Sequence, residues 1–551
     1  MQKTQQRPRV TFVVPRYLPE MIGGAETLVQ GYAEQLSARG YSIEVLTTCA
    51  DQLGAPKNAL APGEDLIRGV RVRRFPLDAA DPSRYWRLAN QLSRAGTLEY
   101  RQQRALLQAG LNSAELCDYL QGAAANYEAV IVGPYAFALT FAAARAAAGK
   151  AIWLPCLHDE PLAHLAVVRE ALEEARGILF NTEAELRFAR ERLGLANPAA
   201  AVVGYGFAEA APGDAARFRE RYSLPGPLLL YAGRIIPEKN VGQLLDLFGR
   251  YRAERNPAAT LALVGEGAGV DLERPGVRGL GPLSAADLRD AYAAADLFCQ
   301  PSRNESFSIV IMEAWQQRRP VLVHADCAVT HEHVVRSGGG WLFADYESFA
   351  AAVAAAIEQP GEARASGERG HAYVCECYAW PVVAARLERA LAELLAPRSL
   401  ARELSQRGVR RALEFTREHY HARLGDLLSE VLPGPRHLSV EQLLAPLRQQ
   451  GALGVPGYQV ESRLPLVGRM IGWLRRNLTS HLKEPYIDAL AQQQTTFNLT
   501  IVEQLRQALE HAQREQRQLE RRVRSLEAEI HALRQTADVS ITQHHSTRSD
   551  Q

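Results

Sequence analysis

Charged residues placed just past strand ends are the first chemistry this sequence offers. Residues 295–314 read ADLFCQPSRNESFSIVIMEA, a strand running into Pro301-Ser302, a loop that brings Glu305, and a helix expected from near Phe307 that carries Glu313 two turns on. The first N–H groups of a helix have no intrahelical acceptor and sit at the positive end of the macrodipole, which suits a phosphate. Ser306, Phe307 and Ser308 lie at that start. Glu305 would stand beside the phosphate, and Glu313 would face a group one helix diameter away, such as a ribose. Upstream, residues 229–240 read LLYAGRIIPEKN, a buried strand ending in Gly233 and followed by Arg234 and Lys239. Two cations just beyond a strand end can bind a diphosphate from the opposite side, and arginine offers a bidentate fork that lysine lacks. Residues 261–269, LALVGEGAG, run a strand into a glycine turn at Gly265, where backbone can approach a nucleotide base. Taken singly, each segment is also what an ordinary strand-end turn or a capped surface helix looks like.

The elements that must position these residues alternate. Strands are expected at Val10–Val14, Ser42–Thr47, Ala129–Val132, Ala151–Leu154 and Gly177–Asn181, with a helix over Glu26–Arg39 and Ala-rich helical segments around the later strands. After Val202–Gly206 the pattern restarts with strands at Leu228–Ala232, Thr260–Val264, Gly276–Gly279, Leu297–Gln300 and Val321–His324. Alternation at this spacing implies two parallel, doubly wound Rossmann-like domains, with the boundary in the Pro/Gly-rich stretch 210–227 and a ligand cleft at the C-terminal ends of the strands. The helix Trp380–Leu395 is expected to close the second half. Residues 53–100 are polar and Arg-rich, which fits either an insertion or a short hairpin.

In this order and spacing the segments resemble the retaining glycosyltransferases of family 4, from about Arg9 to Pro397. Gly23-Gly24-Ala25-Glu26 is similar to that family's Gly-Gly-x-Glu loop, His158-Asp159 to its active-site His-Asp, and Phe180-Asn181-Thr182 to a strand end that commonly reads Asn-Ser. Leu280-Gly281-Pro282-Leu283, with the helix Asp287–Ala295, is similar to the segment packed below the nucleotide. The resemblance implies an α/β GT-B fold, with an acceptor-binding domain over 1–209 and a nucleotide-sugar-binding domain over 210–397. It also implies that Arg234 and Lys239 hold a donor diphosphate, that Glu313 binds the ribose and Glu305 the transferred sugar, and that His158 lies over the anomeric centre. Gly23 and Gly24 would bring bare backbone to the phosphate, and Gly233, Gly265, Ser306, Phe307 and Ser308 would complete the donor site. The implied reaction moves a hexose from a UDP-, GDP- or similar nucleotide sugar to a glycan or glycolipid acceptor with retention. It needs no cofactor and no metal, in keeping with the lack of a suitably placed Asp-x-Asp, and its implied setting is bacterial surface polysaccharide assembly.

Two segments depart from the family pattern. Ser306-Phe307-Ser308 stands where Gly-Phe-Gly is usual, which keeps open a second reading: an inactive GT-B domain serving as a coiled-coil scaffold. His331 and His333 around Glu332 lack the i, i+4 spacing of a zinc helix, so a polar loop is expected there.

Composition narrows the classes. The chain has 551 residues, too many for one ordinary domain, with 47% hydrophobic and 23% charged residues, so a largely disordered chain is excluded. A net charge of +1 gives no sign of nucleic-acid binding. Seven cysteines without C-x-x-C spacing, and an N-terminus lacking an apolar core, point to a reducing cytoplasm. A helical extension is expected over 398–485. Its segment 463–483 has five basic and no acidic residues and an apolar stripe, which suits either the inner face of an anionic membrane or docking on the protein's own core. Residues 502–533 keep alternating three- and four-residue apolar steps, so a coiled coil is expected over 486–537, and with it a homo-oligomer or a partner protein. A disordered tail is expected over 538–551.

Overall fold

A computed structural model describes residues 7–396, apart from 21–22, 54–55, 80 and 148. The expected helical extension with its basic helix, the coiled coil and the tail lie outside the described residues.

The first lobe is built on eight strands: β1 (Arg9–Val13), β2 (Ser42–Thr48), β3 (Gly63–Ile67), β4 (Val70–Phe75), β5 (Ala129–Val132), β6 (Ala151–Trp153), β7 (Gly177–Phe180) and β8 (Ala200–Val202). They lie in the order β3-β4-β2-β1-β5-β6-β7-β8, and every pairing is parallel except the β3–β4 hairpin. The second lobe holds β9 (Leu228–Ala232), β10 (Thr260–Val264), β11 (Val277–Gly281), β12 (Leu297–Gln300), β13 (Val321–His324) and β14 (Gly340–Phe343) in the order β11-β10-β9-β12-β13-β14.

The central strands are runs such as AVIV and LLLYA because both faces are covered by helices. Successive side chains enter opposite layers. From β1, Phe12 joins a core that continues through both lobes, while Val13 joins the outer layer of the first; from β9, Leu230 joins the shared core, while Leu229 joins the outer layer of the second. The lobes are therefore held by one continuous apolar interior as well as by the chain.

The stretch 53–100 resolves into the β3–β4 hairpin and a helix, Pro82–Ala95, whose start is capped by the Asp81 carboxylate accepting from Arg84 N–H at 2.9 Å. The helix Trp380–Leu395, expected to close the second half, packs on the first lobe as well as on the helix before it, Pro360–Tyr378. Trp380 lies over Gly31 and Gly206, where a Cβ would come within 2.1 Å of its ring, and Arg176 Nε donates to the Leu394 carbonyl at 3.0 Å. Residues His331 and His333 belong to a helix, Ala328–Ser337, which corrects the expected polar loop. His333 is buried against Tyr373 and Phe307, so apolar packing of one face makes the segment helical.

Candidate functional site

The C-terminal ends of the parallel strands from both lobes open into one cavity of about 510 Å³. The first lobe contributes Gly24 after β1, His158 after β6 and Asn181 after β7. The second contributes Gly233, Arg234 and Lys239 after β9, and Glu305, Ser306, Phe307 and Ser308 between β12 and the helix Ile309–Gln316. These ten residues, each named from sequence, thus meet around one space.

Its charges are arranged in two ways. Lys239 Nζ lies 2.8 Å from Glu305 Oε1, and the same oxygen accepts from Gln300 Nε2 at 3.3 Å. Lys239 closes a short 3₁₀ turn, Pro237–Lys239, and the next residue, Asn240, donates to the Pro301 carbonyl at 3.0 Å, so the loops after β9 and β12 are tied together. Arg234 is exposed and forms no ion pair among the described residues. Its carbonyl is held by the Tyr231 hydroxyl at 2.7 Å, which fixes the loop and leaves the guanidinium free to meet an anion. The helix Ile309–Gln316 has no side-chain cap at its start, and Ile309 and Val310 line the cavity, so its first N–H groups remain available there.

Burial holds His158 below its ordinary pKa, with Glu160 and Glu305 opposing and Lys239 and Arg234 reinforcing the shift. A neutral imidazole, able both to donate and to accept a hydrogen bond, therefore faces the cavity at neutral pH. The loop carrying it is anchored by Glu185, whose carboxylate accepts from Leu157 N–H at 2.6 Å and Asn181 N–H at 2.7 Å. Burial pushes the Glu185 carboxyl up to about 8 despite those main-chain bonds.

Three expected residues do not line the cavity. Gly23, with φ of 132°, opens the helix Gly24–Ala38 beside Glu26. Gly265 is required by packing, since a Cβ there would lie 2.0 Å from the Gly233 carbonyl oxygen. Glu313 is half-buried and accepts from the Tyr292 hydroxyl at 2.8 Å, and burial raises its pKa. The two serines differ: Ser308 adopts φ 70° and ψ 76°, left-handed backbone that favours glycine, whereas Ser306 is not among the residues with positive φ. Phe307 is a wedge stacked near Tyr205 and edge-on to Tyr378, with only its margin at the cavity.

Asn304 and Glu185 join the site without having been singled out from sequence. Glu185 stands third after Thr182, a capping-box spacing that could have drawn attention, although its carboxylate reaches Asn181 rather than the cap itself. Asn304 had no signal beyond its place before Glu305. Among the described residues no group of three or more His, Cys, Asp or Glu is placed to hold a metal ion.

Residues 226–359 match the family model described as glycosyl transferases group 1. A D-inositol 3-phosphate glycosyltransferase of Kineococcus radiotolerans is 30% identical over 246 residues, covering 38% of this chain and 55% of that protein. An exopolysaccharide phosphotransferase of Streptomyces coelicolor is 26% identical over 240 residues, 42% of this chain and 24% of that protein. The chain thus spans little more than half, or less, of these curated relatives. Among solved structures, sucrose-phosphate synthase from Thermosynechococcus elongatus matches with a TM-score of 0.53 at 18% identity, over 71% of this chain and 100% of that one. HepE of Anabaena in complex with UDP matches with a TM-score of 0.52 at 17% identity, over 70% of this chain and 100% of that one. Two parallel-dominated α/β lobes facing a cleft, with these neighbours, make the fold of the chain GT-B.

Proposed function

We propose that the chain is a retaining glycosyltransferase of the family 4 type that moves a hexose from a nucleotide diphosphate sugar to a glycan or lipid-linked acceptor. The observation that carries this reading is the meeting of Arg234, Lys239, Glu305, His158 and an uncapped helix start around one cavity. Breaking the anomeric C–O bond leaves an oxocarbenium-like sugar and a diphosphate, so the main task is stabilising negative charge on the leaving group. Arg234, Lys239 and the first N–H groups of Ile309–Gln316 supply that charge. Lys239 must share itself between Glu305 and the diphosphate, which places the Glu305 carboxylate beside the transferred sugar. Neutral His158 hydrogen-bonds the sugar near the anomeric carbon. The acceptor oxygen forms its bond on the face the diphosphate leaves, and its proton passes to a diphosphate oxygen, so no carboxylate nucleophile is needed. This chemistry needs no metal ion, and a role in surface polysaccharide assembly follows the same family reading. The donor domain would be centred on 210–397 and the acceptor domain on 1–209, both on the cytoplasmic side of the membrane.

The test is a donor screen with UDP- and GDP-hexoses, UDP-glucose first because the Anabaena neighbour is also solved with it. Donor hydrolysis and transfer should appear with at least one of them and fall about a hundredfold in Arg234→Ala and Glu305→Ala. A wild-type protein that neither binds nor turns over any donor overturns the reading.

A further inference from the structure

A second cavity, of about 810 Å³, opens beside the first and is lined by Leu53, Tyr85, Trp86, Leu92, Phe137 and Leu162 among others. That is the size of a small-molecule site, and its wall is mostly apolar. The helix Pro82–Ala95 forms one side. Tyr85, Leu88, Ala89 and Leu92 recur at helical spacing on its inner face, while Trp86 stays 56% exposed. Trp86 stands at the lip of an apolar groove rather than alone on the surface as Leu66 does, and an exposed aromatic continuous with an apolar wall marks a binding surface.

Two observations say what fills it. The groove is continuous with the proposed donor cavity, since Ala136, Glu160, Glu238 and Asn304 line both. A molecule lying in the groove therefore ends at the place where an acceptor hydroxyl must arrive. Charge is distributed along the groove: Lys57 lines it, the helix Pro82–Ala95 adds Arg84, Arg87 and Arg94 and no Asp or Glu beyond the groove's own lining, and the groove's two carboxylates, Glu160 and Glu238, lie at the junction with the donor cavity. Among the described residues none of these four cations forms an ion pair.

We infer that this groove holds the apolar chain of an anionic, lipid-linked acceptor, with Lys57 at the rim beside its phosphate and its reacting hydroxyl at the junction of the two cavities. The inference rests on the glycosyl-transfer reading and names its acceptor class. Tyrosine and tryptophan at the lip suit the interface between chain and head group, where one end of the ring is apolar and the other wet.

The experiment uses the full chain with octyl, decyl and dodecyl phosphate below their micelle concentrations, read by calorimetry, with UDP binding measured alongside. Affinity should rise about fourfold per added methylene, as expected when each leaves water for an apolar site. Trp86→Ala, which removes an exposed side chain, and Ala89→Phe, which fills the groove, should each weaken dodecyl phosphate at least tenfold. A dodecyl glycoside should be a better acceptor than the methyl glycoside by a similar factor. Affinity independent of chain length, binding unchanged in both variants, or equal transfer to the two glycosides each overturns the inference. UDP binding without alkyl phosphate binding removes the groove and leaves the transfer reading standing. Alkyl phosphate binding without any nucleotide binding removes the transfer reading, and with it the acceptor role.

Discussion

The carboxamide of Asn304 is bonded to both polar groups of the Asp159 main chain: Asp159 N–H donates to Oδ1 at 3.0 Å, and Nδ2 donates to the Asp159 carbonyl at 2.9 Å. One residue lies before Glu305 in the second lobe and the other directly after His158 in the first, so one side chain ties the two sides of the cavity together directly. Asn304→Ala should widen the cleft and lower kcat/KM for transfer about tenfold, because two exposed hydrogen bonds contribute roughly 1 kcal/mol or slightly more together. Asn304→Asp should do no better, since a carboxylate can accept from the N–H but cannot donate to the carbonyl. Steady-state kinetics on both variants would settle it, and unchanged kcat/KM in Asn304→Ala would dismiss the clamp.

The Lys239–Glu305 pair makes a second prediction. Both side chains are mostly buried, at 20% and 9% exposure, so removing one partner leaves the other charge poorly compensated. Lys239→Met should destabilise the protein by about 2 kcal/mol and abolish tight donor binding. Lys239→Met combined with Glu305→Gln should recover most of the stability and none of the donor affinity. A double-mutant cycle by urea unfolding, with nucleotide binding measured in parallel, checks both halves. Equal stability of the single and double variants would show that the pair contributes nothing to the fold.

Ser308 offers a test of the glycine that is usual at its position. Its left-handed backbone costs a non-glycine residue about 1 kcal/mol, and its one weak side-chain contact, from Gln300 Nε2 at 3.4 Å, offsets little of that. Ser308→Gly should raise stability by about 1 kcal/mol, whereas Ser306→Gly should lower it by about 0.5 kcal/mol through added freedom in the unfolded chain. Thermal melts of the two variants distinguish the positions, and a Ser308→Gly protein that melts lower would show that the strain is absent.

How much of this was legible in advance follows from which forces act locally. Strands such as β5 and β13 are apolar runs because both faces are buried, and that pattern is visible in the residues themselves. The hairpin strand β4, VRVRRF, sits near the sheet edge with Arg71 and Arg73 on its open side and Arg74 buried, so it reads as polar loop; β14, GWLF, opens on a glycine and is a strand only because β13 lies beside it. Arg234, Lys239 and Glu305 were visible as charges at strand ends. Asn304 and Asp159 are 145 positions apart, and Glu185 serves residues 28 and 4 positions before it, so neither role exists until the lobes and loops have packed. The helix Trp380–Leu395 shows the same limit: its boundaries follow from periodicity, but which lobe it covers depends on Gly31 and Gly206 leaving room for Trp380.

His333 supplies a prediction about pH. Its ring lies in the shared core with Nδ1 at 3.1 Å from the Tyr373 hydroxyl. Burial, reinforced by Arg336, pushes its pKa down to about 3. In the unfolded chain the imidazole titrates near its ordinary 6.5, so between pH 6.5 and about 3 the unfolded state binds a proton that the native state does not. Stability must therefore fall as pH drops through that window, by about 1.4 kcal/mol per unit for this one group. His333→Phe removes the titration while keeping a ring among Phe307, Tyr373 and Tyr378, and should change stability at pH 7 by only about 1 kcal/mol. At pH 5 it should gain about 2 kcal/mol relative to the unsubstituted protein, that is, 1.5 units of the window multiplied by the slope. His158 and Glu185 titrate in both proteins alike, so they cancel in the difference. Urea unfolding of the pair at pH 7 and pH 5 reads the effect directly, and parallel losses in the two proteins would mean that His333 takes up its proton in the native core.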